Sequence, residues 1–330
     1  MGFVKWGILS TANIAQTELI PAIKRSKNAQ VTAIASASGK ASKAANTFKI
    51  PKSFNRYEEL LDDPEIEVVY IPLPNHLHKE WVIKAAKNGK HILCEKPAVL
   101  TSDDMADIKS VCEENRVLFM EGFMYYFHPQ HDRVKDIIAS GEIGDVNFVR
   151  SSFSFLLTNT ENNIRMDSEK GGGSFYDIGC YSVHAIRHIL NSEPVSVHVH
   201  AKCDANDGVD TDAVTYMQFP DGIMTVFDNS FRMASRNEYE VVGTKGRIFL
   251  PRAYRPDWNG GDGLIIVETD GIRREETINE DQYKAEVEHF SDVILNGTKV
   301  AHTMQNSASN LKVIEACLKS IDKGEQVFLN

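Results

Sequence analysis

Val4-Lys5-Trp6-Gly7-Ile8-Leu9-Ser10-Thr11-Ala12-Asn13-Ile14-Ala15 is the stretch on which the fold turns. Residues 4–9 read as a short buried strand, and residues 14–25 carry apolar side chains at helical spacing. A strand that ends in a turn of small residues and opens a helix presents backbone N–H groups at the positive helix end. That is where a dinucleotide pyrophosphate binds. The usual G-x-G-x-x-G is degraded here: Gly7 is present, and Thr11 or Ala12 stands near the second glycine. Small residues still admit a phosphate, and Ser10 and Thr11 can donate hydrogen bonds. Gly7, Ser10, Thr11, Ala12, Asn13 and Ile14 are therefore candidate cofactor-binding residues. The competing reading is an ordinary strand–helix turn of any α/β domain.

Outward from this turn, strand and helix patterns alternate. Strands are expected at 31–36, 67–72, 91–95 and 117–121, and helices at 40–47, 57–61, 78–88 and 102–114. Such alternation argues for a parallel sheet with helices on both faces. After a further helix at 131–140 the texture changes. Period-two strands follow at 146–155, 195–201, 211–219, 224–231 and 238–243. Turn signals separate them, at Pro220-Asp221-Gly222, Gly243-Thr244-Lys245-Gly246 and Gly260-Gly261-Asp262-Gly263. Helices at 282–295 and 307–323 close the chain. The expectation is an α/β protein: a Rossmann-type parallel sheet over residues 1–121, then an α+β domain over 122–330 with a mostly antiparallel open sheet.

Bulk composition narrows the function classes. The 330 residues are 42% hydrophobic and 25% charged, as in ordinary globular proteins, and the length suits two domains. A net charge of −10 disfavours nucleic acid, which needs clustered Lys and Arg, but leaves room for one anionic ligand. Cys94, Cys112, Cys180, Cys203 and Cys317 form no C-x-x-C pair, and their odd number points to a reduced, cytoplasmic protein. No charged-then-apolar leader is seen, and no apolar run approaches the roughly 20 residues of a membrane helix.

The expected strand ends carry the chemistry. Ser36-Ala37-Ser38-Gly39-Lys40 follows the second strand, and no acid occurs anywhere from residue 29 to 54. NAD-preferring sites place an acid here for the ribose 2′-OH. Ser36, Ser38 and Lys40 instead suit a 2′-phosphate, so NADP is favoured over NAD; a solvated loop is the competing reading. In Pro72-Leu73-Pro74-Asn75-His76-Leu77-His78 two prolines fix an extended path that can lie along the cofactor. Leu73, Pro74, Asn75 and His78 are candidates there, His78 as a helix-capping or substrate-side group. No carboxylate or thiolate stands at ligand spacing, so no metal is expected. Glu95-Lys96-Pro97 puts an acid and a base at a strand's carboxyl end, in the crevice where α/β sheets bind ligands. A surface ion pair is the bland alternative. Finally, Gly171-Gly172-Gly173 leads into Asp177 and, four residues on, Tyr181, a spacing that puts both on one helical face. His184 and His188 share that spacing further along, and His188 reads as structural.

Taken in order, Trp6-Gly7-Ile8-Leu9-Ser10-Thr11-Ala12, Glu95-Lys96-Pro97, Gly171-Gly172-Gly173 and Asp177-Ile178-Gly179-Cys180-Tyr181 resemble the glucose–fructose oxidoreductase / inositol dehydrogenase / MocA-like (Gfo/Idh/MocA) family over nearly the whole chain. Tyr181 is similar to the dimeric dihydrodiol dehydrogenase and D-xylose dehydrogenase branch, where inositol dehydrogenases carry histidine. The resemblance implies hydride transfer between a nicotinamide cofactor and a sugar, polyol or diol. It implies Lys96 orienting the substrate and supporting proton transfer, Tyr181 as acid–base and Asp177 as its helper, with Glu95, Lys96 and Arg165 also toward the cofactor. It implies a homodimer or higher oligomer built on the open face of the second sheet. Ala37 and Tyr126 depart from the pattern, since many relatives carry arginine at those places. The alternatives are a non-catalytic nicotinamide-nucleotide sensor and, more remotely, a metal-dependent hydrolase.

Overall fold

The structure, a computed structural model, describes residues 2–206 and 208–329. At the centre of its first sheet is β1 (Val4–Leu9), buried along nearly its whole length. On one side lie β2 (Ala29–Ala35) and β3 (Lys52–Phe54); on the other, β4 (Val68–Ile71), β5 (His91–Glu95) and β6 (Phe119–Gly122). The order β3-β2-β1-β4-β5-β6 is parallel throughout. It is the dinucleotide-binding order, with its switch point beside β1. The connecting helices are α1 (Ile20–Arg25), α2 (Ala41–Phe48), α3 (Tyr57–Leu61), α4 (His78–Lys87) and α5 (Ser102–Asn115). The helix expected as one piece over 14–25 instead passes through a π-type turn at Ala15–Leu19 before α1.

The second unit begins with α6 (Gln130–Ala139), β7 (Val146–Leu156) and α7 (Cys180–Leu190). Seven strands follow: β8 (Ser196–Cys203), β9 (Asp210–Gln218), β10 (Met224–Ser230), β11 (Arg232–Gly243), β12 (Gly246–Leu250), β13 (Asp262–Thr269) and β14 (Ile272–Asn279). Then come α8 (Gln282–Asn296), α9 (Met304–Lys323) and β15 (Val327–Phe328). The sheet order is β14-β13-β12-β11-β7-β10-β9-β8-β15. It is antiparallel except that β10 runs parallel to β7. One face carries Val149, Val199, Met217, Phe227, Tyr239 and Val241, all buried; the alternate residues face outward.

The two compact units are not the contiguous halves 1–121 and 122–330. They are Met1–Phe127 with Asp281–Ala308, and His128–Glu280 with Ser309–Asn330. The reason is α8. Its apolar stripe of Tyr283, Val287 and Phe290 is buried, and it packs on β1 of the first unit. Phe290 meets the Trp6 ring edge-on at 6.2 Å, and the Trp6 indole N–H donates to Ser291 Oγ at 3.1 Å.

Candidate active site

In the first unit, Ser10 leaves β1 with φ 144°, a backbone region that favours glycine. The Ala12 N–H donates to its Oγ at 3.0 Å. Ser10, Ala12 and Ala15 thus hold the first, second and third places of the G-x-G-x-x-G spacing, each with a small side chain, and Ala15 is fully buried where the helix meets the sheet. Gly7 does not belong to this loop. It lies inside β1, and a Cβ there would stand 2.6 Å from Leu60 Cδ2 of α3, so its role is packing. Thr11, Ala12, Asn13 and Ile14 do line the loop; the Thr11 carbonyl accepts from Gln16 Nε2 at 2.7 Å.

At the end of β2, Ser36 Oγ lies 2.9 Å from Ser38 Oγ and 3.3 Å from Thr11 Oγ1. Three hydroxyls therefore tie the first two crossover loops together, with exposed Lys40 at the start of α2. Donors and a cation, on a stretch with no acid from residue 29 to 54, fit a phosphorylated ribose.

Around Lys96 the structure adds partners that the sequence did not announce. The Lys96–Pro97 peptide is cis. The Tyr70 hydroxyl donates to Glu95 Oε1 at 2.5 Å, and burial pushes the Glu95 carboxyl above its usual range. The Ala98 N–H donates to Glu121 Oε1 at 2.8 Å. His302 Nε2 lies 3.2 Å from Glu121 Oε2 and 3.0 Å from Ser307 Oγ. Burial alone would raise Glu121, but His302, Ser307 and the Ala98 N–H outweigh it and hold that carboxyl below its usual range. His78 is wholly buried, with one ring nitrogen 2.8 Å from the Pro97 carbonyl and the other 2.7 Å from the Leu73 carbonyl. That corrects its expected placement: His78 buckles the loop after β4 to the loop after β5 from within the core, and burial lowers its pKa. Glu95 likewise turns its carboxyl to Tyr70. Pro74 and Asn75 are half-buried in the short turn ahead of α4.

The second unit carries the other candidates. Asp177 lies in a π-type turn, Phe175–Gly179, that runs into α7, so the helix expected around it is widened at its start. The Arg165 guanidinium donates to Asp177 Oδ2 at 2.6 Å, and that carboxylate, first among its neighbours, raises the Arg165 pKa; Tyr181 interacts with the same guanidinium. Arg165 is thus bound to the Asp177 pair. Tyr181 is buried against Phe153 and Tyr254, with ring centroids at 5.3 and 5.6 Å. His184 is fully buried, its ring stacked on His188. Among the described residues no group of three His, Cys, Asp or Glu is arranged to hold a metal ion. The glycine run makes room for neighbours: a Cβ on Gly172 would stand 2.7 Å from the Arg165 and Asp167 carbonyls. Gly173 has φ 107°, and a Cβ there would run into Asp210 Oδ1.

Comparison with known proteins follows the same division. Residues 4–123 match the family model described as "Oxidoreductase family, NAD-binding Rossmann fold". Residues 131–249 match the GFO/IDH/MocA C-terminal domain. The chain is 37% identical to D-xylose 1-dehydrogenase (NADP(+)) 2 of Haloferax volcanii, over 98% of this chain and 99% of that one. It is 31% identical to trans-1,2-dihydrobenzene-1,2-diol dehydrogenase of Xenopus laevis, over 75% of each. A 3-ketoreductase from Actinomadura kijaniata, solved with NADP and TDP-benzene, superposes with a TM-score of 0.91 at 26% identity, covering 96% of this chain and 98% of that one.

Proposed function

The chain belongs to the Gfo/Idh/MocA family of oxidoreductases, and from that premise we propose an NADP-preferring dehydrogenase or reductase acting on a hydroxyl or carbonyl of a sugar, polyol or diol. The observation that carries this reading is the way Lys96 is held. At the carboxyl end of β5, its turn is tied by Tyr70 through Glu95, by His78 through Pro97, and by Glu121 through Ala98. Three buried anchors on one short turn exceed what a surface ion pair needs. The Haloferax relative is named for NADP, and the hydroxyls of Thr11, Ser36 and Ser38 beside Lys40 support the same cofactor here.

Bound NADP would accept or supply the hydride. Residues 10–14 would hold its pyrophosphate, Ser36, Ser38 and Lys40 its 2′-phosphate, and Leu73, Pro74 and Asn75 would run alongside it. Lys96 would donate from its ammonium group to the substrate oxygen and orient it. Tyr181 would take that oxygen's proton during oxidation and return it during reduction. Asp177, fixed by Arg165, would position the substrate hydroxyl. The chain would act as a homodimer on the open face of its nine-stranded sheet. Its five cysteines, none in a disulfide, suit the cytoplasm.

The test is Lys96→Ala, assayed with monosaccharides, inositols and trans-diols and both cofactors. Turnover should fall by at least about 10²-fold, while NADPH binding, followed by fluorescence, persists. Full activity in that variant sinks the assignment. Tight NADPH binding by the native chain with no turnover on any of these substrates would replace the enzyme with a nucleotide sensor.

A further inference from the structure

The turn that carries Asp177 is capped from elsewhere in the fold. The Ser174 hydroxyl, at its start, makes no bond to its own helix. It donates to Asp210 Oδ2 at 2.6 Å, and the Phe175 N–H donates to the same oxygen at 2.8 Å. Asn229 Nδ2 of β10 donates to Ser174 Oγ at 2.6 Å. Ser174 and Asn229 are fully buried and Asp210 is 5% exposed. Gly173 allows this approach because any side chain there would strike Asp210. Among the described residues no Lys or Arg pairs with Asp210, so its charge rests on these hydrogen bonds and on the positive end of the helix it faces.

We infer that Asp210 is a positioning residue of the reaction: its ionised carboxylate sets where Asp177 and Tyr181 stand by gripping the start of their helix, and its protonation loosens that grip. The inference rests on the reading of Asp177 and Tyr181 as site residues. Ionised, Oδ2 accepts both bonds as charge-assisted contacts, which are about twice as strong as neutral ones. Burial pushes the Asp210 carboxyl up to about 6, against the pull of Ser174 and the Phe175 N–H. The change therefore falls within a working pH range. The titratable groups that face it are the thiols of Cys203 on β8 and Cys317 on α9, both raised first by burial and then by Asp210. On the capped turn the charged group is Asp177, which Arg165 holds.

The experiment is kcat and KM from pH 5 to 9 for the full chain, its Asp210→Asn, Ser174→Ala and Tyr181→Phe variants, with NADP and whichever sugar, polyol or diol turns over. The native kcat should show an acid limb near pH 6. Asp210→Asn should lack that limb and run about ten- to a hundredfold below native at pH 8, with KM for NADP unchanged. Should that variant fail to fold, Ser174→Ala answers the question. It removes one of the two bonds, and kcat should fall about three- to tenfold with the acid limb kept. Either variant, folded and at native kcat, overturns the proposal. Tyr181→Phe separates the causes. If it is inactive while the other variants are native-like, only the role of Asp210 fails. If it is fully active, the reading of Tyr181 fails and takes this proposal with it.

Discussion

Ser38 is where the choice of cofactor is open to a single-residue test. It is exposed at the end of β2, beside the Ser36 and Thr11 hydroxyls and with no carboxylate nearby in sequence. Ser38→Asp would set a negative charge against a 2′-phosphate, and a carboxylate there can instead accept from the free 2′-OH of NAD. The ratio of kcat/KM for NADP over NAD should drop at least about tenfold, since two like charges near a protein surface repel by several kcal/mol at contact distance. An unchanged ratio would remove these hydroxyls from the cofactor site. Asp210 permits a second test, of stability. Burial raises its folded-state pKa from 3.8 to about 6, so the folded chain holds this proton more tightly than the unfolded chain. Its contribution is full below about pH 4 and is lost as pH rises through 6, by up to about 3 kcal/mol. Asn cannot ionise, so Asp210→Asn should melt progressively above native between roughly pH 4 and 7 while losing activity. That combination of gains and losses marks a group kept for function. The polar residues at strand ends were legible in the sequence because position and chemistry coincide there. Gly7 was not: a glycine that admits Leu60 and a glycine that admits phosphate are the same letter.

The elements that show one clean period were legible, and those that break it were not. The buried central strands and α4 and α5 stand where their patterns put them. By contrast β14 has Arg273, Arg274, Glu275 and Glu276 in succession and shows no apolar period. It is a strand because its charges are answered: Arg133 donates to Glu276 at 2.7 Å, and Arg274 pairs with Glu142. In β13 the opening residues sit in what reads as a glycine turn, with Asp262 and Gly263 already paired to β14. The three-residue β3 is too short for any period. Both π-type turns, at Ala15–Leu19 and Phe175–Gly179, were hidden inside continuous helical patterns, since five residues are too few to show a period of their own. These turns follow the cofactor loop and the glycine run, so the least legible local geometry lies where the chemistry is expected. Gly173→Ala tests the second of them. An L-residue at φ 107° is strained, and its Cβ meets Asp210. The variant should lose about 1–3 kcal/mol of stability in denaturant titration and most of its kcat. Native stability would mean that this turn tolerates displacement.

On the scale of the whole chain, the sequence order of elements suggests two consecutive domains, but α8 and the segment after it return to the first unit. Linear order cannot show this, because the apolar stripe of α8 names no partner; only the Trp6 contacts do. Order of elements is equally silent on assembly, where exposure is informative. The outward face of the nine-stranded sheet leaves Val214 at 49% and Met224 at 51% exposure, on adjacent strands β9 and β10. His198, His200 and Tyr216 lie on that same broad face, opposite the buried side of β8 and β9. Apolar groups on a wide, open, hydrogen-bonded surface are where a second sheet would pack. A stable isologous contact needs about 800 Å² from each chain, the scale that a broad sheet face offers. Twofold symmetry sharpens the test, because one substitution enters the interface twice. In such a dimer Val214→Glu would put a carboxylate from each chain into the contact, each stripped of water on association. Light scattering should give twice the 36.9 kDa chain mass for the native protein and a single chain mass for Val214→Glu with Met224→Glu. NADPH binding should persist in the monomer, since Ser10–Ile14 and Ser36–Lys40 belong to the other unit. A monomeric native protein with full activity would leave the open face without this role.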